Sequence, residues 1–178
     1  MLAYLFFHRS DPGADIAAYE SGLLRFHAAV SAAGLEGFAG SRTYRVGGGY
    51  CDWYLVESSA ALDGLNDAAV SGARSPHHDA VARVAVDGAG KLLRLAAGTY
   101  AADAPFEIRF SKPRGMSYPD LYRTLQTWTD RAGVSLWRRM MVLGPAPEFC
   151  LLAPDRFELP ASTTPEVLHR EPLVDSAS

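Results

Sequence analysis

Several stretches of this chain set titratable side chains two residues apart, the spacing at which strand residues share a face. In Leu2–His8, Tyr4, Phe6 and His8 alternate with Ala3, Leu5 and Phe7. In Tyr50–Glu57, Asp52, Tyr54 and Val56 alternate with Cys51, Trp53 and Leu55. In Phe106–Phe110, Glu107 and Arg109 alternate with apolar neighbours. Arg94 stands between Leu93 and Leu95, and Arg138 shares a face with Met140 while Trp137 and Arg139 compete for the same orientation. The apolar sets are expected to pack on helices. That turns Tyr4, His8, Asp52, Tyr54, Arg94, Glu107, Arg109 and Arg138 toward a cavity. His8 suits general-base work near neutral pH. Tyr54 suits a hydrogen bond to a substrate oxygen, and Arg94 or Arg109 a contact with an anionic group. His8, Tyr54 and Arg109 are the catalytic candidates. The same residues admit a structural reading, an Arg–Glu–Asp network that neutralises itself, because buried charges need partners whatever the function.

Other signals are weaker as chemistry. His77 and His78 open a helical segment. Adjacent helical side chains diverge by about 100°, which disfavours chelation of one ion, and a helix start disfavours imidazolium. No metal site is expected. His27 lies beside a helical stripe and His169 in a proline-rich tail. Cys51 and Cys150 read as buried, inert thiols on the helix-facing side of their strands. Trp53, Trp128 and Trp137 read as core. Gly47-Gly48-Gly49 precedes an aromatic strand rather than a helix, so it is a hairpin turn and not a phosphate cradle. The sequence has no CxxC pair and no HExxH, GxSxG, Walker or GxGxxG pattern.

Composition bounds the class. The chain has 178 residues, 48% hydrophobic and 21% charged, with 17 basic and 20 acidic residues and a net charge of −3. That is globular composition with no field to attract nucleic acid or anionic lipid. No apolar run is long enough to span a membrane, and the apolar N-terminus lacks a basic region and a small-residue cleavage site. It reads as a first strand. Two cysteines make no disulfide scaffold, so a cytoplasmic protein with reduced thiols is expected.

The elements that carry these residues follow from periodicity. After Leu2–His8 comes the turn Ser10-Asp11-Pro12-Gly13, then a helical stripe of Ile16, Tyr19, Leu23, Phe26 and Val30 closed by Gly34. Phe38–Val46 and Tyr50–Glu57 form a hairpin. A helix from Ser58-Ser59 carries Leu62, Leu65 and Ala69, and a second piece from Ser75-Pro76 carries Val81 and Val84 and stops at Gly88-Ala89-Gly90. Lys91–Ala96 is a last strand. The order is β-α-β-β-α-β over residues 1–98, a ferredoxin-like unit. Residues 99–105 read as a linker.

The pattern then restarts over residues 106–178. A strand at Phe106–Phe110 leads to a helix capped by Ser117 and Asp120, with a stripe of Leu121, Leu125, Trp128 and Ala132, and then to a second hairpin. Pro12-Gly13, Ala33-Gly34 and Tyr50-Cys51 find counterparts in Pro113-Arg114-Gly115, Ala132-Gly133 and Phe149-Cys150, at an offset of about 100. The second unit has no room for its second helix, although His169–Val174 could supply a last strand. Residues 175–178 read as a frayed end.

This α+β pattern resembles the dimeric α+β barrel superfamily in a tandem form, two ferredoxin-like units in one chain with the second incomplete. The segment Ser75-Pro76-His77-His78 through Gly90-Lys91-Leu92-Leu93-Arg94-Leu95 is similar to the helix and last strand of small monooxygenase-like barrel domains. The resemblance implies a cavity between two sheets, with His77 at its mouth. Cofactor-free oxygenases, haem-handling enzymes and isomerase- or decarboxylase-like enzymes all use such barrels. The leading expectation is binding or oxidation of a small organic molecule with no cofactor. The alternatives are a haem or tetrapyrrole handler with His8 or His77 as axial ligand, and a non-catalytic binding or assembly module that forms a homo-oligomer.

Overall fold

The computed structural model describes residues 1–72 and 75–174, so the expectation for residues 175–178 lies outside the described residues. The fold is mixed α+β, and the chain divides into two compact units. One is Met1–Gly90 with the chain from Pro172 onward; the other is Lys91–Glu171.

In the first unit, β1 (Leu2–Ser10) leads through a turn to α1 (Ile16–Ser31). Asp15 caps α1, its carboxylate accepting from the backbone N–H groups of Ala17 and Ala18. Tyr19, Leu23, Phe26 and Val30 form the buried face, while Ile16 is exposed. Then follow the hairpin β2 (Phe38–Val46) and β3 (Gly49–Val56), α2 (Ala61–Val70), α3 (Ser75–Ala82) and the start of β4 (Ala85–Gly98). The strand order is β4-β1-β3-β2. β1 and β2 both pair antiparallel with β3.

β4 starts at Ala85, six residues before the expected strand at Lys91. Gly88 and Gly90 are therefore strand residues rather than a helix stop. The reason lies in their neighbours: the rings of Phe6 and Tyr4 rest where side chains at those positions would be.

In the second unit, β5 (Phe106–Phe110) is followed by α4 (Tyr118–Thr129), β6 (Ser135–Arg139), β7 (Phe149–Ala153) and β8 (Glu166–Pro172). Ser117 caps α4 by accepting from the Asp120 N–H. The order is β8-β5-β7-β6, and the end of β4 pairs with β6. Ile108, Phe110, Phe149 and Leu151 pack against Leu121 and Leu125 of α4 in one apolar core. No second helix follows β7. Phe157 and Leu159, from the proline-rich segment, join that core instead.

Candidate functional site

Strand register fixes which side chains of the first unit meet. His8 lies opposite Tyr50, Phe6 opposite Asp52 and Tyr4 opposite Tyr54, so all six share one face of the sheet. Tyr50, Asp52 and Tyr54 in turn lie opposite Arg45, Thr43 and Ser41 of β2. This is the face that α1 covers. Ala3, Leu5, Cys51 and Trp53, expected against the helices, lie on the other face and are fully buried. The expected orientation of β1 and β3 is thus reversed. Both faces of these strands are buried, so apolarity alone does not say which one meets the helices.

A cavity of about 590 Å³ lies on the helix side, between β1, β3 and the start of β4 on one wall and α1, α2 and α3 on the other. Every residue that lines it belongs to the first unit. Leu23, Phe26, Leu62, Leu65 and Val81 give it an apolar helical wall, and Tyr4, His8, Asp52 and Tyr54 a polar floor. Among the described residues no Lys or Arg lines it.

Asp52 organises the floor. It is buried, and its Oδ1 accepts from the Thr43 hydroxyl at 2.6 Å while Oδ2 accepts from the Tyr54 hydroxyl at 3.3 Å. His8 Nε2 and His27 Nε2 flank it, each 3.3 Å from a different carboxylate oxygen. These two contacts are ion-pair approaches without hydrogen-bond alignment. His8 Nδ1 is bonded to the Tyr19 hydroxyl at 2.6 Å, and His27 Nδ1 to the Ser41 hydroxyl at 2.7 Å. Burial pushes the Asp52 carboxyl up, but the two histidines outweigh it and hold the group well below the ordinary carboxylate range. An ionised carboxylate only accepts, so the Nε2 facing it carries hydrogen and His8 Nδ1 accepts from Tyr19. Burial, with Asp52 next, raises the Tyr19 and Tyr54 hydroxyls above the ordinary tyrosine range, so neither is a phenolate near neutral pH.

The arrangement can move a proton. A ligand proton that reaches the Tyr19 oxygen displaces the Tyr19 proton onto His8 Nδ1. The resulting imidazolium sits beside ionised Asp52, which favours it.

The structure brings together only part of the expected site. Tyr4, His8, Asp52 and Tyr54 line the cavity. Glu107 and Arg109 do not. They lie in the second unit, on the strand face away from α4, where Arg109 Nε donates to Glu107 Oε1 at 2.6 Å. Arg94 is exposed and lies opposite Arg138. Arg138 lies opposite Phe149, on the α4 side, with its guanidinium 3.6 Å from the centre of the Tyr118 ring and its Nε 3.1 Å from Glu148. Among the described residues no arginine is therefore placed to hold a ligand anion in the cavity. His78, not His77, is on the wall. Cys51 and Cys150 are buried thiols as expected but face away from the helices. Tyr19 and His27 are the residues sequence reading left out. A tyrosine in a stripe of Leu, Phe and Val was the available signal for the first.

Both ring nitrogens of His8 face protein groups, Nδ1 the Tyr19 hydroxyl and Nε2 the Asp52 carboxylate. Among the described residues no three His, Cys, Asp or Glu side chains converge as a metal ion would need. Nor is any helix among them long and apolar enough to cross a membrane.

The fold is a known one. A candidate chlorite dismutase superposes with a TM-score of 0.55 at 11% identity over 92% of this chain and 82% of its own. An anthrone oxidase-like protein gives 0.55 at 11% identity over 98% and 91%. A candidate monooxygenase from Lactobacillus acidophilus gives 0.51 at 10% identity over 85% and 75%. At such identities the likeness is one of fold. No protein-family model and no curated protein matches the chain.

Proposed function

We propose that the first-unit cavity binds a small, uncharged, hydroxylated aromatic molecule and removes a proton from it, as the first step of an oxidation by molecular oxygen. The observation that carries this is the buried Tyr19–His8–Asp52 chain on the wall of a cavity that, among the described residues, no Lys or Arg lines. The apolar helical wall suits an aromatic body, and the tyrosines suit its hydroxyl or carbonyl groups. With an ionised carboxylate in the floor and no arginine or lysine among the described lining residues, an anionic ligand is disfavoured. The names of two fold neighbours, an anthrone oxidase-like protein and a candidate monooxygenase, favour oxygen as co-reactant. The balanced reaction converts a ring CH2 and O2 into a ring carbonyl and water: proton loss leaves a carbanion, O2 takes up its electrons, and the peroxide so formed loses water. The tandem ferredoxin-like reading belongs here too. The strand orders β4-β1-β3-β2 and β8-β5-β7-β6 favour it.

Oxygen uptake with anthrone as substrate tests the proposal. The wild type is expected to consume O2 saturably. His8→Gln is expected to lower kcat by about 10²–10⁴-fold, and Tyr19→Phe to lower it with little change in KM. No uptake by the wild type, together with no heat of binding for anthrone or 1-naphthol, overturns the reading. Haemin added to the protein is expected to give no Soret shift that depends on His8.

A further inference from the structure

We propose that Gly88 and Gly90 of β4 set the width of the cavity and so determine that it takes a multi-ring planar ligand rather than a single phenol ring. The inference rests on the binding reading above and deepens it. The two glycines are two residues apart and present the same face of the strand to β1. Neither has the positive φ that demands glycine. Their backbone could carry alanine, and glycine within a strand sacrifices stability. The reason for glycine is therefore space. A Cβ at Gly90 would lie 2.5 Å from the Tyr4 hydroxyl oxygen and 3.0 Å from two carbons of its ring. A Cβ at Gly88 would lie 3.0 Å and 3.3 Å from carbons of the Phe6 ring. The Gly90 gap is one that real methyl groups do not show, and at Gly88 the Phe6 ring would have to give by a few tenths of an ångström.

Tyr4 and Phe6 line the cavity, as does Gly88. Their rings rest against bare backbone because no side chain holds them off it. Tyr54 stands on the other side of Tyr4, with ring centres 6.2 Å apart, so that flank is occupied. A methyl group on β4 leaves the displaced ring tips one direction, into the cavity. The glycine pair thus keeps open the strip of floor along which a flat polycyclic body would lie, next to His8.

Crystal structures of ligand-free Gly88→Ala and Gly90→Ala, with calorimetric titration of anthrone and of phenol, test this. The expected result is Tyr4 or Phe6 swung into the cavity, anthrone affinity lower by about tenfold or more, and phenol affinity changed by less than about twofold. Gly64→Ala, on α2 with open space around it, is expected to leave both affinities unchanged. Rings that keep their place while β4 moves away overturn the inference, as does equal weakening of both probes. Displaced rings with unchanged selectivity sink this inference alone. A wild type that binds neither probe sinks the binding reading as well.

Discussion

In the first unit the register pairs His8 with Tyr50, Phe6 with Asp52 and Tyr4 with Tyr54; in the second it pairs Phe110 with Phe149, Ile108 with Leu151 and Phe106 with Ala153. Each set faces the helix that follows its first strand. Tyr19 and Leu23 of α1 meet one, and Leu121 and Leu125 of α4 meet the other. The chemistry of the two faces is opposite. Ile108, Phe110, Phe149, Leu151 and Ala153 seal against α4, and Phe157 and Leu159 finish the seal. Tyrosines, a histidine and an aspartate cannot seal in the same way. They satisfy one another, and α2 and α3 stand over them with a cavity beneath. The void lies where these side chains meet α2 and α3, helices that have no counterpart after β7.

The contrast can be broken from either side. Leu151→Asp buries an unpartnered carboxylate in the apolar core, and is expected to cost about 4 kcal/mol or more in urea unfolding. Asp52→Ala leaves two histidines facing an empty place, with an expected cost of about 3–5 kcal/mol. Leu125→Ala in the packed unit is expected to cost about 2–5 kcal/mol, and Leu65→Ala, which only enlarges an existing void, to fall at or below the lower end of that range. Exchanging the polar set for the other unit's chemistry, as His8→Phe with Asp52→Leu and His27→Leu, is expected to leave stability near the wild type or above it. Anthrone-dependent oxygen uptake is expected to be lost. A triple variant that fails to fold would show that the two units are not interchangeable at these positions.

The smallest effects are those of pH. Asp52 has a folded pKa below its unfolded one, so its stabilising share is complete above about pH 4 and is lost as pH falls through the folded value. Tyr50 is shifted the other way. Burial, then its hydrogen bond to Glu20, pushes it up to about 12. Its share is complete below about pH 10 and is lost as pH rises through about 12. Thermal melts of Asp52→Asn and Tyr50→Phe are expected to flatten the acid and the alkaline limb respectively.

Much of the fold was legible because its signals are local. The Ser117 end of α4, the Gly47 turn and the alternation of the strands all follow from a few adjacent residues. The site was legible as a set of residues and not as a place. Alternation says that Asp52 and Trp53 face opposite ways, but not which of them meets α1. β3 is buried on both sides, so the usual rule of polar outward has no purchase there. Tyr19 and His27 come from a helix whose partner strand was read with the wrong face toward it. Glu107 and Arg109 carry the right chemistry for a pocket but spend it on each other.

Leu173 deserves a last consideration for what it does to Tyr19. It packs with Tyr19, Leu23 and Tyr50, and its N–H donates to the Thr43 carbonyl. Leu173 is thus separated by most of the polypeptide from the tyrosine it packs on. During synthesis, the unit that leaves the ribosome first is the one that must wait longest to be finished. A chain cut short before Pro172 lacks a residue of the first unit's own core.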